Sequence, residues 1–377
     1  MMKNDENKIK VLHIGMSPNN GGLESFVHNI YSRMDKQKIQ FDFINVYNEK
    51  IAYQDQYEKW GSKIISICPR NKKPLRHRKE LIKTINEGNY DFVHFHTMSF
   101  RYADPILISN KIGNTKVIVH SHLANFNHFF SRTGKFMSDI NKFFIRNKRY
   151  LRLACGEDAG KSLFGKEKFT IIENGIDFEK YKFNENYRRN IRKKYNVKST
   201  DILIGHVGNF SEIKNYNYLI DLFFCLHNIN KNYKLLLIGD DSKGKIYKDK
   251  INNLKLDNSV IYVGKINNAN EFYSAMDLFI FPSVVEGFSI ALIEAQASGV
   301  QIFYSNKIDK NSNIGGNMKI IDIDMPAEKN AKLIDKEFNG IENYSREVKL
   351  NENYSVDKAS KKLYEYYKNN LGEKNNE

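Results

Sequence analysis

Short apolar runs alternate with longer amphipathic stretches along this chain. IKVLHIG (9–15) is an almost continuous apolar run; after a polar loop comes LESFVHNIYSRM (23–34), whose apolar positions recur every three or four residues. Near-continuous apolar runs of strand length suit strands buried on both faces, and the three-four spacing suits the helices that cover them. Further strands are expected over 41–46, 91–96, 116–122, 152–155 and 169–175, with a helix over 75–88. A charged, asparagine-rich stretch (184–201) interrupts the pattern, which then restarts. Strands are expected over 201–208, 233–239, 259–264, 277–282 and 300–304, helices over 217–229, 270–276 and 290–297, and a long terminal helix over 351–371. This alternation predicts an α/β protein with two doubly wound parallel sheets. The expected boundaries are a first domain over 1–183, a second over 184–350, and a terminal helix and tail over 351–377 that packs back on the first domain; 377 residues suit two cores rather than one.

Composition adds a location and a charge. No run approaches the ~20 apolar residues of a membrane span, and MMKNDENKIK lacks the apolar centre of a signal peptide, so a cytoplasmic location is expected. Cys68, Cys155 and Cys225 are scattered singly, which suits buried thiols in a reducing compartment. The net charge of +15 is uneven: residues 1–180 carry 30 Lys and Arg against 19 Asp and Glu. The first half therefore faces something anionic. Residues 69–79 hold six basic groups and no acid, and residues 129–155 hold seven basic groups and one acid, interleaved with Phe129, Phe130, Phe136, Met137, Phe143, Phe144 and Ile145. The second segment suits an amphipathic helix lying on an anionic membrane; the alternative is that its aromatics are core and its cations a solvated face.

Ligands of open parallel sheets bind beyond the carboxyl ends of the strands, so candidate chemistry is sought there. Gly21 and Gly22 open a helix and offer backbone N–H groups to an anion, although a simple tight turn explains them equally well. Gly208 closes a strand, and Lys214-Asn215 precedes a helix, where a lysine makes a point charge for phosphate. His94 and His96, like His120 and His122, alternate along strands and so share a face. No carboxylate or cysteine stands at a spacing that completes a metal set, so hydrogen bonding to sugar or phosphate is the expectation. In VEGFSIALIEAQASGV (285–300), Glu286 lies in the loop after a strand, Ser289 stands where it caps a helix, and Glu294 lies one turn inside. The pair reads either as two solvated glutamates or as two carboxylates flanking a phosphate at a helix amino end.

These residues resemble retaining GT-B glycosyltransferases of family 4 (glycosyl transferases group 1), whose hallmark is two glutamates with seven residues between them, E-x7-E. GGLE (21–24), VHSH (119–122), ENGID (173–177), GNFSEIKN (208–215) and EGFSIALIEAQASG (286–299) stand in the family's order, and HVGNFSEIKN with VHSHLANFN is similar to its capsular and exopolysaccharide branch. The resemblance implies the GT-B fold, two Rossmann-like domains facing across a cleft. It implies that Glu294 takes the ribose hydroxyls and Glu286 those of the donor sugar, while the backbone of Gly287, Phe288, Ser289, Gly21 and Gly22 faces the donor diphosphate. Lys214 would neutralise that diphosphate; Asn209 stands where the family usually has arginine. His122, with His120 as second choice, would face the donor sugar, and Asn174 is a further sugar contact. No metal or other cofactor is implied, only a nucleotide-sugar co-substrate, UDP-hexose. The implied activity is retaining hexosyl transfer to an oligosaccharide on a polyprenyl diphosphate, at the inner face of the plasma membrane. A nucleotide-sugar epimerase of the same fold is the alternative. A nucleic-acid-binding protein would also explain the charge, but no nucleic-acid motif accompanies it and no nucleic-acid partner is expected.

Overall fold

The computed structural model describes residues 8–123, 131–239, 244–266, 268–286, 288–339 and 345–371. In chain order the elements are β1 (Ile9–Ile14), α1 (Gly22–Arg33), β2 (Ile39–Asn45), α2 (Gln54–Lys59), β3 (Ile64–Ser66), α3 (Pro74–Gly88), β4 (Phe92–Thr97), α4 (Asp104–Ile112), β5 (Lys116–Ser121), α5 (Arg132–Ile145), β6 (Leu151–Ala154), α6 (Glu157–Phe164) and β7 (Thr170–Ile171). There follow α7 (Phe178–Tyr181), α8 (Glu185–Lys194), β8 (Ile202–Val207), α9 (Tyr216–Ile229), β9 (Tyr233–Ile238), α10 (Gly244–Asn253), β10 (Val260–Gly264), α11 (Ala269–Ala275), β11 (Leu278–Phe281), α12 (Ile290–Ala297), β12 (Gln301–Ser305), β13 (Met318–Ile321), α13 (Ala327–Asn339) and α14 (Val356–Asn370). The chain divides into two compact units, 1–175 with 353–377, and 176–352.

The first unit carries a seven-stranded sheet in the order β3-β2-β1-β4-β5-β6-β7, all parallel. Parallel pairing obliges a crossover between neighbouring strands, and helices supply it, so both sheet faces are covered. Leu12, Ile14, Val93, Phe95, Val117 and Val119 point to one face and pack with Leu81, Ile85 and Ile106 of α3 and α4. The opposite face meets α1 and α14. Val356, Ala359, Leu363 and Tyr367 of α14 are buried, and the Ser360 hydroxyl donates to the Ile30 carbonyl at 3.1 Å. Gly175 allows this docking: a Cβ there would lie 2.8 Å from the Val356 Cα and 2.9 Å from the Ser355 carbonyl oxygen.

The second unit carries six parallel strands in the order β10-β9-β8-β11-β12-β13. Its core joins Leu219, Ile220, Phe223 and Leu226 of α9 to Leu235, Leu237 and Ile280 of the sheet. The charged stretch 184–201, read from sequence only as an interruption, contains α8. The Asn184 side chain accepts from the N–H groups of Asn186 and Tyr187 and so starts the helix. Arg188 and Arg192 then reach Asp277 at 2.6 and 2.9 Å, tying α8 to the amino end of β11. The edge strands β3 and β13 were not anticipated. Among the described residues no helix is long and apolar enough to cross a membrane.

Replacing Gly175 by alanine forces a Cβ against α14 backbone that cannot rotate away. A loss of about 1–3 kcal/mol is expected, read from denaturant unfolding of the full chain.

Candidate active site

In the second unit the loops after β8 and β11 lie side by side, joined by a hydrogen bond from the Val284 N–H to the Ile213 carbonyl at 2.9 Å. This contact brings Lys214 and Glu286 together across 72 residues of sequence. Lys214 Nζ lies 2.6 Å from Glu286 Oε1, with both side chains largely shielded (13% and 10% exposed), and 4.5 Å from the centre of the Phe281 ring. Gly208 lets the lysine lie there, because its missing side chain leaves room for the Lys214 stem at 3.2 Å from the position a Cβ would take. Asn215, at φ 54°, turns the chain from the short helical turn Glu212–Lys214 into α9. Asn209 is exposed, and its carboxamide oxygen accepts from the Ser211 hydroxyl at 3.1 Å, so it shapes its own loop and supplies no charge.

Glu294 sits inside α12 and is buried. The Tyr273 hydroxyl donates to its Oε2 at 3.0 Å, and Tyr181 donates a second hydrogen bond. Burial raises its carboxyl to about 7, and the two tyrosines and nearby Lys180 offset only part of that. The solvated-glutamate reading therefore fails for both residues: Glu286 is ion-paired and Glu294 is interior. Phe288 and Ser289 are buried at the start of α12, and Gly287 lies outside the described residues. Ser289 holds the cap position but makes no side-chain cap bond, which corrects the expectation; its carbonyl, instead, takes the N–H groups of Leu292 and Ile293.

In the first unit the Gly21-Gly22 loop differs from expectation. Gly21 N–H already donates to the Asn19 carbonyl at 3.0 Å and to Glu24 Oε2 at 3.2 Å, while Glu24 Oε1 takes the N–H and hydroxyl of Ser17 at 3.0 and 2.7 Å. An internal carboxylate occupies the amino end of α1, so the Gly21 N–H is not open to an anion. Asn174 is buried beside Gly175.

The four histidines expected on one face are there, and His13 of β1, which the sequence reading passed over, joins them. They form two rows. His13 Nδ1 pairs with His96 Nε2 and His96 Nδ1 with His122 Nε2, both at 2.9 Å; Tyr367 of α14 pairs with His94 Nδ1 at 2.5 Å, and His94 Nε2 with His120 Nδ1 at 3.1 Å. The rows stack, with ring centres 4.4 Å apart for His94 and His96 and 4.1 Å for His120 and His122. His13, His94 and His96, and likewise His96, His120 and His122, bring one ring nitrogen each within 4.8 Å of one another, close enough to suggest a metal. The in-plane nitrogens are, however, largely committed to imidazole–imidazole hydrogen bonds. Burial lowers the pKa of all five, His122 to about 3. Each neutral ring carries one N–H, so the protons of the His13–His96–His122 row all point the same way. The proton position on His13 sets whether His122 presents a donor or an acceptor at its outer nitrogen. His13, Tyr181, Tyr273 and Tyr367 were the residues missed; HIG at the end of β1 was a usable signal for His13, whereas the tyrosines sit in ordinary helical patterns.

The profile of the family described as "Glycosyl transferases group 1" matches residues 187–322. Over 315 residues, 81% of each chain, the sequence is 30% identical to a Bacillus subtilis (strain 168) protein named as a glycosyltransferase, EpsF. The chain belongs to the glycosyl transferases group 1 family. This glycosyltransferase is also 24% identical, over 81% of each chain, to the Escherichia coli UDP-Gal:alpha-D-GlcNAc-diphosphoundecaprenol alpha-1,3-galactosyltransferase. Its fold is GT-B, like that of a Rickettsia africae glycosyltransferase (TM-score 0.75, 19% identity, 97% of this chain and 100% of that one) and of Anabaena Alr3699/HepE, solved with UDP and glucose (TM-score 0.73, 18% identity, 95% of each).

Removing either partner of the Lys214–Glu286 pair strands a shielded charge. Lys214→Ala and Glu286→Ala are each expected to cost about 3–5 kcal/mol in denaturant unfolding, while Lys214→Met with Glu286→Leu restores most of the stability. The buried histidines make stability depend on pH. Their folded-state pKa values lie below the unfolded value near 6.5, so the unfolded chain binds more protons in acid. Stability is fully present above about pH 6.5 and falls as pH drops below it, by up to about 1.4 kcal/mol per unit per histidine. Unfolding curves at pH 7.5, 6.0 and 5.0 read this directly.

Proposed function

We propose that this protein is a retaining glycosyltransferase of family 4 that moves a hexose from a UDP-sugar to an oligosaccharide carried on a lipid diphosphate, in capsular or exopolysaccharide assembly. The observation that carries the reading is the Lys214–Glu286 pair, one short loop away from the buried Glu294. Glu294 accepts the ribose hydroxyls, which replace hydrogen bonds that water cannot supply there. Glu286 takes the donor-sugar hydroxyls and releases Lys214 to the diphosphate. The reading needs no metal, because Lys214 provides the cation at the leaving group. The bond from the anomeric carbon to the diphosphate breaks, the acceptor hydroxyl bonds to that carbon on the same face, and its proton passes to a diphosphate oxygen. His122 is neutral and serves as a hydrogen-bond partner of the donor sugar rather than as an acid. The relatives support a lipid-linked acceptor, since one is named for a diphosphoundecaprenol substrate.

The same reading puts the protein on the inner face of the plasma membrane as a peripheral protein. Within α5, Gly134, Ser138 and Ile145 are buried, whereas Phe136, Phe143 and Phe144 are 58–65% exposed. Those aromatics are not core. Arg146 lies 4.1 Å over the Phe143 ring, so cation and apolar surface are presented together, as an anionic lipid surface requires. Phe129 and Phe130 lie outside the described residues.

A thermal-shift panel of nucleotide sugars on wild type and Glu294→Ala tests the donor site. Stabilisation by one UDP-sugar that the substitution abolishes is expected; an equal shift in the variant overturns the ribose assignment. The ionised carboxylate is the form that binds hydroxyls, and its pKa is about 7, so affinity is expected to weaken about tenfold per unit below pH 7.

A further inference from the structure

The two histidine rows run obliquely across the first sheet. His13 stands in register with His94 but bonds His96; His96 stands in register with His120 but bonds His122; His94 stands beside Ile118 but bonds His120. Each link thus advances two residues toward the carboxyl ends of the strands, the edge at which open parallel sheets receive their ligands. The second row differs from the first in how it begins. Its first member is the hydroxyl of Tyr367, brought by α14 from 273 residues further along the chain than His94.

Tyr367 is fixed in that place. Its ring is buried, with ring centres 5.2 Å from Phe92 and 6.0 Å from Phe41, and the end of α14 is held by Lys116 Nζ, which donates to the Asn370 carbonyl at 2.7 Å. Among the described residues, His94 Nδ1 is the sole hydrogen-bond partner of its hydroxyl. Burial keeps the phenol protonated and the rings of His94 and His120 neutral.

One hydroxyl and two neutral rings carry three protons but share only two hydrogen bonds, so one end of the row presents an unused donor. In one arrangement Tyr367 donates to His94 Nδ1, His94 Nε2 donates to His120 Nδ1, and the unused N–H lies on His120 Nε2. In the other every proton is reversed, and the unused donor is the Tyr367 hydroxyl beneath α14. A phenol is a stronger acid than a neutral imidazole N–H, and an imidazole nitrogen is a far stronger base than a phenol oxygen. The bond from O–H to N is therefore the stronger, and it selects the first arrangement. His120 Nε2, the terminal atom of the row, is buried and has no protein partner among the described residues. A buried N–H without an acceptor costs about 1–3 kcal/mol, which a ligand oxygen recovers. The first row carries no such lock: it starts on His13, whose Nε2 is also unpartnered and whose ring meets Phe41 and Phe43 at 4.1 and 5.4 Å.

We propose that Tyr367 is a positioning residue: acting through His94, it holds His120 in the Nε2–H tautomer, so that this end of the row donates to an oxygen of a bound sugar and never accepts from its hydroxyl. The inference rests on the donor-sugar part of the proposed function and adds to it a proton direction set by the C-terminal helix.

The test records ring nitrogen signals by NMR on full-length protein with 15N-labelled histidine, for wild type, Tyr367→Phe and His94→Gln, and titrates each with UDP, UDP-glucose and UDP-galactose. Wild-type His94 and His120 are both expected to carry the proton on Nε2. Tyr367→Phe is expected to give mixed tautomers at both rings and to weaken UDP-sugar binding about two- to tenfold, as the competent fraction falls, with UDP affinity unchanged. His94→Gln, whose amide can take the Tyr367 hydroxyl and donate to His120, is expected to keep His120 in its wild-type tautomer; a proton on Nδ1 there overturns the relay. A wild-type His94 or His120 protonated on Nδ1 overturns the assignment at once, and so do unchanged ring signals in Tyr367→Phe. Altered tautomers with an unaltered ratio of UDP-sugar to UDP affinity overturn the positioning role. Failure of wild type to bind either UDP-sugar sinks the donor reading and the sugar contact with it, while the tautomer lock is still judged by the ring signals.

Discussion

Parallel strand pairing is the constraint from which the rest of this molecule follows. Both sheets are wholly parallel, so no strand returns by a hairpin; each needs a crossover, and those crossovers cover both faces. Parallel order also sends every strand's carboxyl end to the same edge of its sheet. Gly15 and the Gly21-Gly22 loop, His96, His122, Lys214 and Glu286 are gathered because each follows or ends a strand. Apart from Gly15 and the nearby Gly21-Gly22 loop they are distant in sequence, and the topology makes them neighbours within their units.

The same logic explains what could be read in advance. Buried parallel strands leave apolar runs, so most of the thirteen strands among the described residues and helices such as α1, α3, α9 and α14 were visible as hydrophobic pattern, whereas α10 and α13 were not. The edge strands β3 and β13 were not, whereas the edge strands β7 and β10 were. Glu286 and Glu294 were visible as a spacing, but their environments were not: nothing local announces that Tyr273 and Tyr181 close over one, or that Lys214 neutralises the other. Partners from distant segments are invisible to a reading that moves along the chain. Gly21 shows the opposite case. Its sequence suggested an open anion site, and three residues later the chain carries the glutamate that fills it.

Buried polarity is handled differently in the two units. The first lays a double row of neutral imidazoles across its sheet, linked ring to ring and to Tyr367, although His13 Nε2 and His120 Nε2 are buried without a hydrogen-bond partner. The second keeps charge but pairs it, Lys214 with Glu286 and Arg188 and Arg192 with Asp277. Neutral rows hold a geometry; paired charges hold a geometry that a ligand can exchange for its own.

In the proposed function, that exchange makes the Lys214–Glu286 pair a coincidence detector. On the proposed reading, a ligand that offers only phosphate satisfies the lysine and strands the glutamate; one that offers only hydroxyls does the reverse. Either half-match leaves a desolvated charge without a partner, at a cost of several kcal/mol. A molecule that carries both groups in one piece meets both demands at once. In that function, a single ion pair screens out the spent nucleotide and the free sugar together.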